Sequence, residues 1–191
     1  MYEILFEHIS GYITITQEEK EIIVACLEFK KIPRKEFLLS ENEICDAYYF
    51  VLSGCVRFYK NAANGNEQIL QFGLEKWWIS DYHSFETRQP SEYCLQAIED
   101  SEVLVLRRQD YEKLFSNVPC LNTYFRLMMQ KAYSASLKKM EILLSHSAEE
   151  RYKAFSTSFP EFVQRIPQYM LASFLGFTPQ FLSILRAKKQ N

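Results

Sequence analysis

Apolar and polar positions change their spacing three times along this chain. Near the start, Thr16-Gln17-Glu18-Glu19 has the form of a capping box, and Ile22, Ile23, Cys26 and Leu27 follow at helical spacing. A helix is therefore predicted there, ended by Pro33. From Glu36 to Leu106 the texture is that of strands, in short runs rich in aromatic and β-branched residues. The runs are Phe37-Leu38-Leu39, Tyr48 to Leu52, Val56 to Lys60, Gln68 to Phe72, Tyr93 to Ile98 and Glu102 to Leu106. Ser53-Gly54 and Asn64-Gly65-Asn66 fall between runs, where tight turns need residues that tolerate positive φ. Many short strands at this spacing predict a small all-β barrel or sandwich.

After Arg108 the strand pattern stops. Val118 to His146 contains neither Gly nor, beyond Pro119, Pro, and can run as one helix about 40 Å long. Its apolar residues fall into two stripes, Leu121, Phe125, Met128, Ala132 and Ala135 on one side and Met129, Tyr133, Met140 and Leu144 on the other. A helix with two apolar faces must be covered twice. The chain's own barrel and a second copy of the chain would do this, making it a dimerisation helix; burial at the centre of a monomer is the alternative. Ser147-Ala148-Glu149-Glu150 is a second capping box that restarts a helix through Phe155, and Phe159-Pro160 stops it.

The segment from Ile166 to Arg186 has helix-turn-helix spacing. Pro167 suits a first helical turn, small Ala172 suits a helix crossing, and Gly176 can end the first helix in the left-handed conformation. Thr178 then caps a second helix that Pro179 opens, and Leu171, Leu175, Leu182 and Leu185 supply a small core. An ordinary helical hairpin is the bland reading of this pattern. The cap chemistry and the charge distribution favour docking on double-stranded DNA, with the second helix entering the major groove. In that reading Gln168, Thr178, Gln180, Phe181, Ser183, Arg186, Lys188 and Lys189 form the DNA-binding set. Gln180 and Ser183 would reach base edges, Phe181 would meet a thymine methyl or serve as core, and Arg186, Lys188 and Lys189 would contact phosphates.

Charge supports a localised contact rather than a general one. The chain of 191 residues carries a net charge of −2, yet Arg165, Arg186, Lys188 and Lys189 face no acidic residue between position 165 and the end. Five scattered cysteines, Cys26, Cys45, Cys55, Cys94 and Cys120, do not form a disulfide framework and suit a reducing cytoplasm. The first eight residues have no basic region of a secretory signal, and the apolar runs are too short to span a membrane. No cofactor or metal is expected, because His8, His83 and His146 lack ligand spacing and the cysteines do not cluster. Nor is an enzyme, since no phosphate loop or nucleophile elbow is present.

These motifs together resemble the Crp/Fnr family of bacterial transcription regulators. The segment Tyr48 to Tyr59 resembles the family's strand–turn–strand signature, Asn64-Gly65-Asn66-Glu67 its next hairpin, and Glu99 to Leu104 its closing strand. Ser147-Ala148-Glu149-Glu150-Arg151 and Arg165-Ile166-Pro167-Gln168 resemble the DNA-binding half of members from Bacteroidetes-type bacteria. The resemblance implies an α+β fold: an N-terminal cyclic-nucleotide-binding-like β-barrel (a jelly roll) with flanking helices, a long dimerisation helix and a C-terminal helix-turn-helix. The corresponding divisions are 1–117, 118–146 and 147–191. It implies a homodimer on DNA, with RNA polymerase and an unidentified small-molecule effector as further candidate partners.

Departures from the family are as informative. Where cyclic-AMP-binding members carry Gly-Glu and then Arg followed by Ser or Thr, this chain has Ser80-Asp81 and Ser91-Glu92. Asp81 could accept from a ribose hydroxyl, but Ser91 lacks the guanidinium fork that grips phosphate, and Glu92 would repel it. Control by cyclic AMP is therefore not expected. Trp77, Trp78, Tyr82 and Phe85 gather near the implied pocket, either filling it or lining a site for an apolar effector. On the second helix of the DNA-binding half, the family's base-reading charges are replaced by Pro179, Gln180, Phe181 and Ile184, so base readout is weak or rests partly on DNA shape. A module that kept the fold but lost DNA recognition is the competing reading.

Overall fold

The computed structural model describes residues 1–63 and 65–189, except for the side chains of residues 188 and 189. Two compact units divide it, one made of residues 1–61 and 70–129 and the other of 62–69 and 130–191.

The first unit opens with α1 (Glu3–Ser10) and α2 (Gln17–Ala25). The Thr16 hydroxyl accepts from the Glu19 N–H at 3.2 Å, and the Glu19 carboxylate accepts from the Thr16 N–H at 2.7 Å, which closes the predicted capping box. The helix does not reach Pro33. It ends at Ala25, and Leu27–Ile32 forms strand β1 instead. The apolar residues Cys26 and Leu27 fit a helical period, but backbone pairing overrides it: β1 runs antiparallel to a later strand from Leu27 opposite Leu106 to Ile32 opposite Ser101.

The predicted runs become β2 (Phe37–Leu39), β3 (Ala47–Ser53), β4 (Val56–Asn61), β5 (Glu67–Gly73), β7 (Cys94–Ala97) and β8 (Ser101–Arg107). A two-residue strand, β6 (Trp78–Ile79), and a short helix, α3 (Tyr82–Thr87), lie between β5 and β7. The strands form two antiparallel sheets, ordered β1-β8-β3-β6 and β2-β7-β4-β5, so the jelly roll is a two-sheet sandwich. Strand β3 is buried from Ala47 through Leu52 because both faces are covered. Tyr48 and Phe50 point at helical neighbours, whereas the Tyr49 hydroxyl donates to the Leu38 carbonyl of the second sheet at 2.9 Å. Gly54 turns the chain into β4 at φ +92°, and a Cβ there would lie 2.2 Å from the Ser101 hydroxyl oxygen. Only glycine fits both the backbone angle and the space.

Helix α4 (Arg108–Asn117) follows the sandwich, and α5 (Cys120–Ser145) is the long helix. The second unit continues with α6 (Ala148–Ser158), α7 (Pro160–Arg165), α8 (Gln168–Leu175) and α9 (Pro179–Lys189). Ser147 and Glu150 form the second capping box. Within this unit the Ser173 hydroxyl donates to the Glu67 carbonyl at 2.6 Å and accepts from the Ile69 N–H at 3.0 Å.

Candidate nucleic-acid interface

Helices α8 and α9 are built by the residues that the spacing singled out. Pro167 stands just before α8 as its N-cap, with φ −54° and ψ 137°, and Gly176 ends the helix at φ +74°. The Thr178 hydroxyl accepts from the Phe181 N–H at 3.2 Å and so caps α9. Leu171, Ala172, Leu175, Leu182 and Leu185 are all buried, forming the core between the two helices. That core fixes which side of α9 is presented outward.

With Leu182 and Leu185 turned inward, Gln180, Ile184 and Ala187 recur at i, i+4 and i+7 along the exposed side, and Ser183 lies beside them. Phe181 flanks this line, 40% exposed, with its ring 5.7 Å from that of Phe177. Ile184 is 55% exposed. Arg186 does not lie on this side. It is half-buried and borders a cleft of about 400 Å³ whose other polar walls are Gln164, Arg165 and Gln168. Lys188 and Lys189 have side chains outside the described residues.

The structure thus separates the predicted set into two groups. Gln180, Phe181 and Ser183 belong to the outward side of α9, and Gln168 and Arg186 to the cleft. Thr178 has one lone pair occupied as a cap. Arg165 was absent from the sequence-derived set and joins the cleft. It is 21 positions from Arg186, so no local spacing could have paired them; only the acid-free stretch around both hinted at it.

The residues expected to form the degenerate effector pocket hydrogen-bond to their own chain. Asp81 and Ser91 are buried; one Asp81 carboxylate oxygen accepts from the Ser84 N–H at 3.1 Å and the other from the Ser91 hydroxyl at 2.6 Å. Asp81 thereby caps α3 and holds the Ser91 hydroxyl. The Ser80 hydroxyl donates to the Ala47 carbonyl at 2.8 Å. Glu92 does not face a buried pocket; it lies at the surface 2.5 Å from the Lys60 ammonium, and that hydrogen bond holds its carboxyl below the usual range.

The aromatic residues nearby are mostly core. Trp78 packs against Phe50 and Phe125 and donates from Nε1 to the Tyr124 hydroxyl at 2.9 Å. Tyr124 in turn lies 2.7 Å from His8 Nδ1. Tyr82 and Phe85 pack on Tyr48, and burial pushes the Tyr82 phenol well above its ordinary range. Trp77 alone of the four stays 47% exposed.

Along α5 the two stripes part company. Leu121 and Phe125 are buried in the core of the first unit and so are not available to a second copy, and half-buried Met128 packs against that core. Met129 is half-buried. Farther along, Ala132, Tyr133, Leu137, Met140 and Leu144 are exposed, the last at 81%.

Residues 29–118 match the family of cyclic nucleotide-binding domains. The chain is 25% identical over 166 residues to the transcriptional regulatory protein btr of Bordetella pertussis, covering 81% of this chain and 68% of that one. Among solved structures it resembles the c-di-GMP responsive global regulator CLP of Xanthomonas campestris, with a TM-score of 0.75 at 15% identity over 92% of each chain. It also resembles a transcriptional regulator of the Crp/Fnr family from Eubacterium rectale, with a TM-score of 0.71 at 17% identity, over 92% of this chain and 84% of that one. Residues 29–118 thus belong to the cyclic nucleotide-binding domains, and that domain with its long helix and helix-turn-helix has the fold of the Crp/Fnr transcription regulators that the chain resembles.

Proposed function

We propose that this chain works as a homodimeric, cytoplasmic DNA-binding regulator with no catalytic activity and without control by cyclic AMP. The observation that carries the DNA reading is the arrangement of α8 and α9. A capped second helix turns outward a side that is uncharged among the described residues, while Arg165 and Arg186 converge on a cleft. An uncharged helix side can approach base edges in the major groove, and guanidinium groups beside it can neutralise phosphates. No acidic residue occurs from Arg165 onward to oppose a polyanion. The divisions at 1–117, 118–146 and 147–191 give the sensor, dimerisation and DNA-binding parts of this reading.

The cassette supports independence from cyclic AMP. A cyclic phosphate needs a donor fork, and the position that would supply it is Ser91, whose hydroxyl is engaged by Asp81. An effector of other chemistry and contact with RNA polymerase both remain compatible with the fold. A second reading, a module that has lost DNA recognition, is favoured by the exposed Ile184 where a charged base reader would stand.

One experiment separates the two. Genomic fragments retained by the purified chain at moderate salt are sequenced, and binding to an enriched fragment is measured against salt concentration. Enrichment of near-palindromic sites, with half-sites about one helical turn apart, is expected. Changing Arg186, Lys188 and Lys189 together to Ala should weaken binding and flatten the salt dependence. Absence of binding at low salt, or affinity unchanged by the triple substitution, would overturn the DNA reading.

A further inference from the structure

The outward side of α9 has a chemistry that selects among base pairs. In the major groove guanine offers two acceptors, best met by Arg or Lys, and cytosine offers an amino donor, best met by a carboxylate. Gln180, Ser183, Ile184 and Ala187, which make up the exposed line, provide neither. Thymine instead presents a methyl group, and adenine an acceptor beside a donor that a primary amide meets with both of its atoms. Ile184, more than half exposed, and Ala187 one turn farther on are apolar surface with no cover from their own chain. Phe181 extends that surface on the flank.

We propose that this helix side is a reader of A·T base pairs, with Ile184 and Ala187 seated on thymine methyls and the Gln180 amide on an adjacent adenine. The inference rests on the DNA-docking reading above and deepens it. Duplex DNA, rather than an apolar protein segment, is the occupant because the apolar line is short, is interrupted by Gln180 and Ser183, and shares α9 with Arg186, whose cleft with Arg165 suits phosphate and not a hydrophobic partner. The arginines hold the backbone of either sequence class; the uncharged line decides between classes.

The test starts with selection of sites from a random duplex library by the full chain at low salt. A·T-rich half-sites are expected. Thymines in the selected half-sites are then replaced one at a time by deoxyuridine, which removes only the methyl group. Each contacted methyl should be worth about fourfold in affinity. In Ile184→Ala, an exposed change that leaves the fold intact, at least one of those fourfold penalties should disappear while the salt dependence stays the same. Selected sites with G·C-rich half-sites, or affinity indifferent to every thymine-to-deoxyuridine change, would overturn the proposal and leave DNA binding standing. Failure to select any DNA would overturn the docking reading and this proposal with it.

Discussion

The Ser91 hydroxyl donates to the Asp81 carboxylate at 2.6 Å, in a spot where both side chains are buried. A buried carboxylate oxygen that loses its donor bears the cost of desolvation without compensation. Ser91→Ala should therefore lower unfolding stability by about 1–3 kcal/mol in urea titrations. Thermal unfolding should show no rise in Tm when cyclic AMP is added to the unsubstituted chain, because a ligand bound to the folded state alone must stabilise it. A saturable rise would contradict the reading of the cassette as closed.

Gly54 is a harsher point of constraint. Alanine there meets both an unfavourable φ of +92° and the side chain and Cα of Ser101, each within 2.6 Å of the added Cβ. Backbone strain and overpacking act together, and Gly54→Ala should cost about 3 kcal/mol or more. Equilibrium denaturation checks this, and a loss under 1 kcal/mol would show that the turn relaxes.

The exposed apolar positions of α5 set the expected assembly. Tyr133, Leu137, Met140 and Leu144 recur at i, i+4, i+7 and i+11, with exposures of 66%, 46%, 56% and 81%. Two such faces packed together would form a helical seam. Sedimentation of the unsubstituted chain should give a dimer, and Met140→Glu combined with Leu144→Glu should give a monomer. A dimer that survives the double substitution would place the interface elsewhere.

Lys139 carries a pH signature. Its ammonium lies 3.6 Å from the Phe174 ring centroid, and burial pushes its pKa from the ordinary 10.5 down to about 8. Attraction to the ring favours the charged form, so the downward direction means that desolvation wins. Between the two values the unfolded chain holds the proton and the folded chain releases it. Stability therefore rises with pH across that window, and the cost of the buried charge is felt in full below it. Lys139→Met should be more stable than the unsubstituted chain at pH 7 and should lose this part of the rise between pH 8 and 10.5. Urea unfolding at pH 7 and pH 10 measures both; an unaltered slope would show that the ammonium is solvated.

Much of the candidate interface was legible before the fold. Thr178, Pro179 and Gly176 each act through local backbone geometry, and a residue that caps or ends a helix does so wherever the helix lies. The capping boxes at Thr16 and Ser147 were readable for the same reason. Strand β1 was not. Leu27–Ile32 is strand because β8 supplies its hydrogen bonds from 69 to 79 residues away, and helical spacing of a few apolar residues gave no sign of that partner.

Local chemistry along the chain determined the elements, their caps, the tight turns and the residue types of α9. Tertiary structure alone decided which residues come together: Arg165 with Arg186 at one cleft, Ser91 with Asp81 in a buried hydrogen bond, and Leu121 and Phe125 inside a core rather than on a free face. The physical reason is range. Capping and backbone dihedrals act within a few residues, whereas burial and long-range hydrogen bonding depend on which distant segments the fold brings into contact.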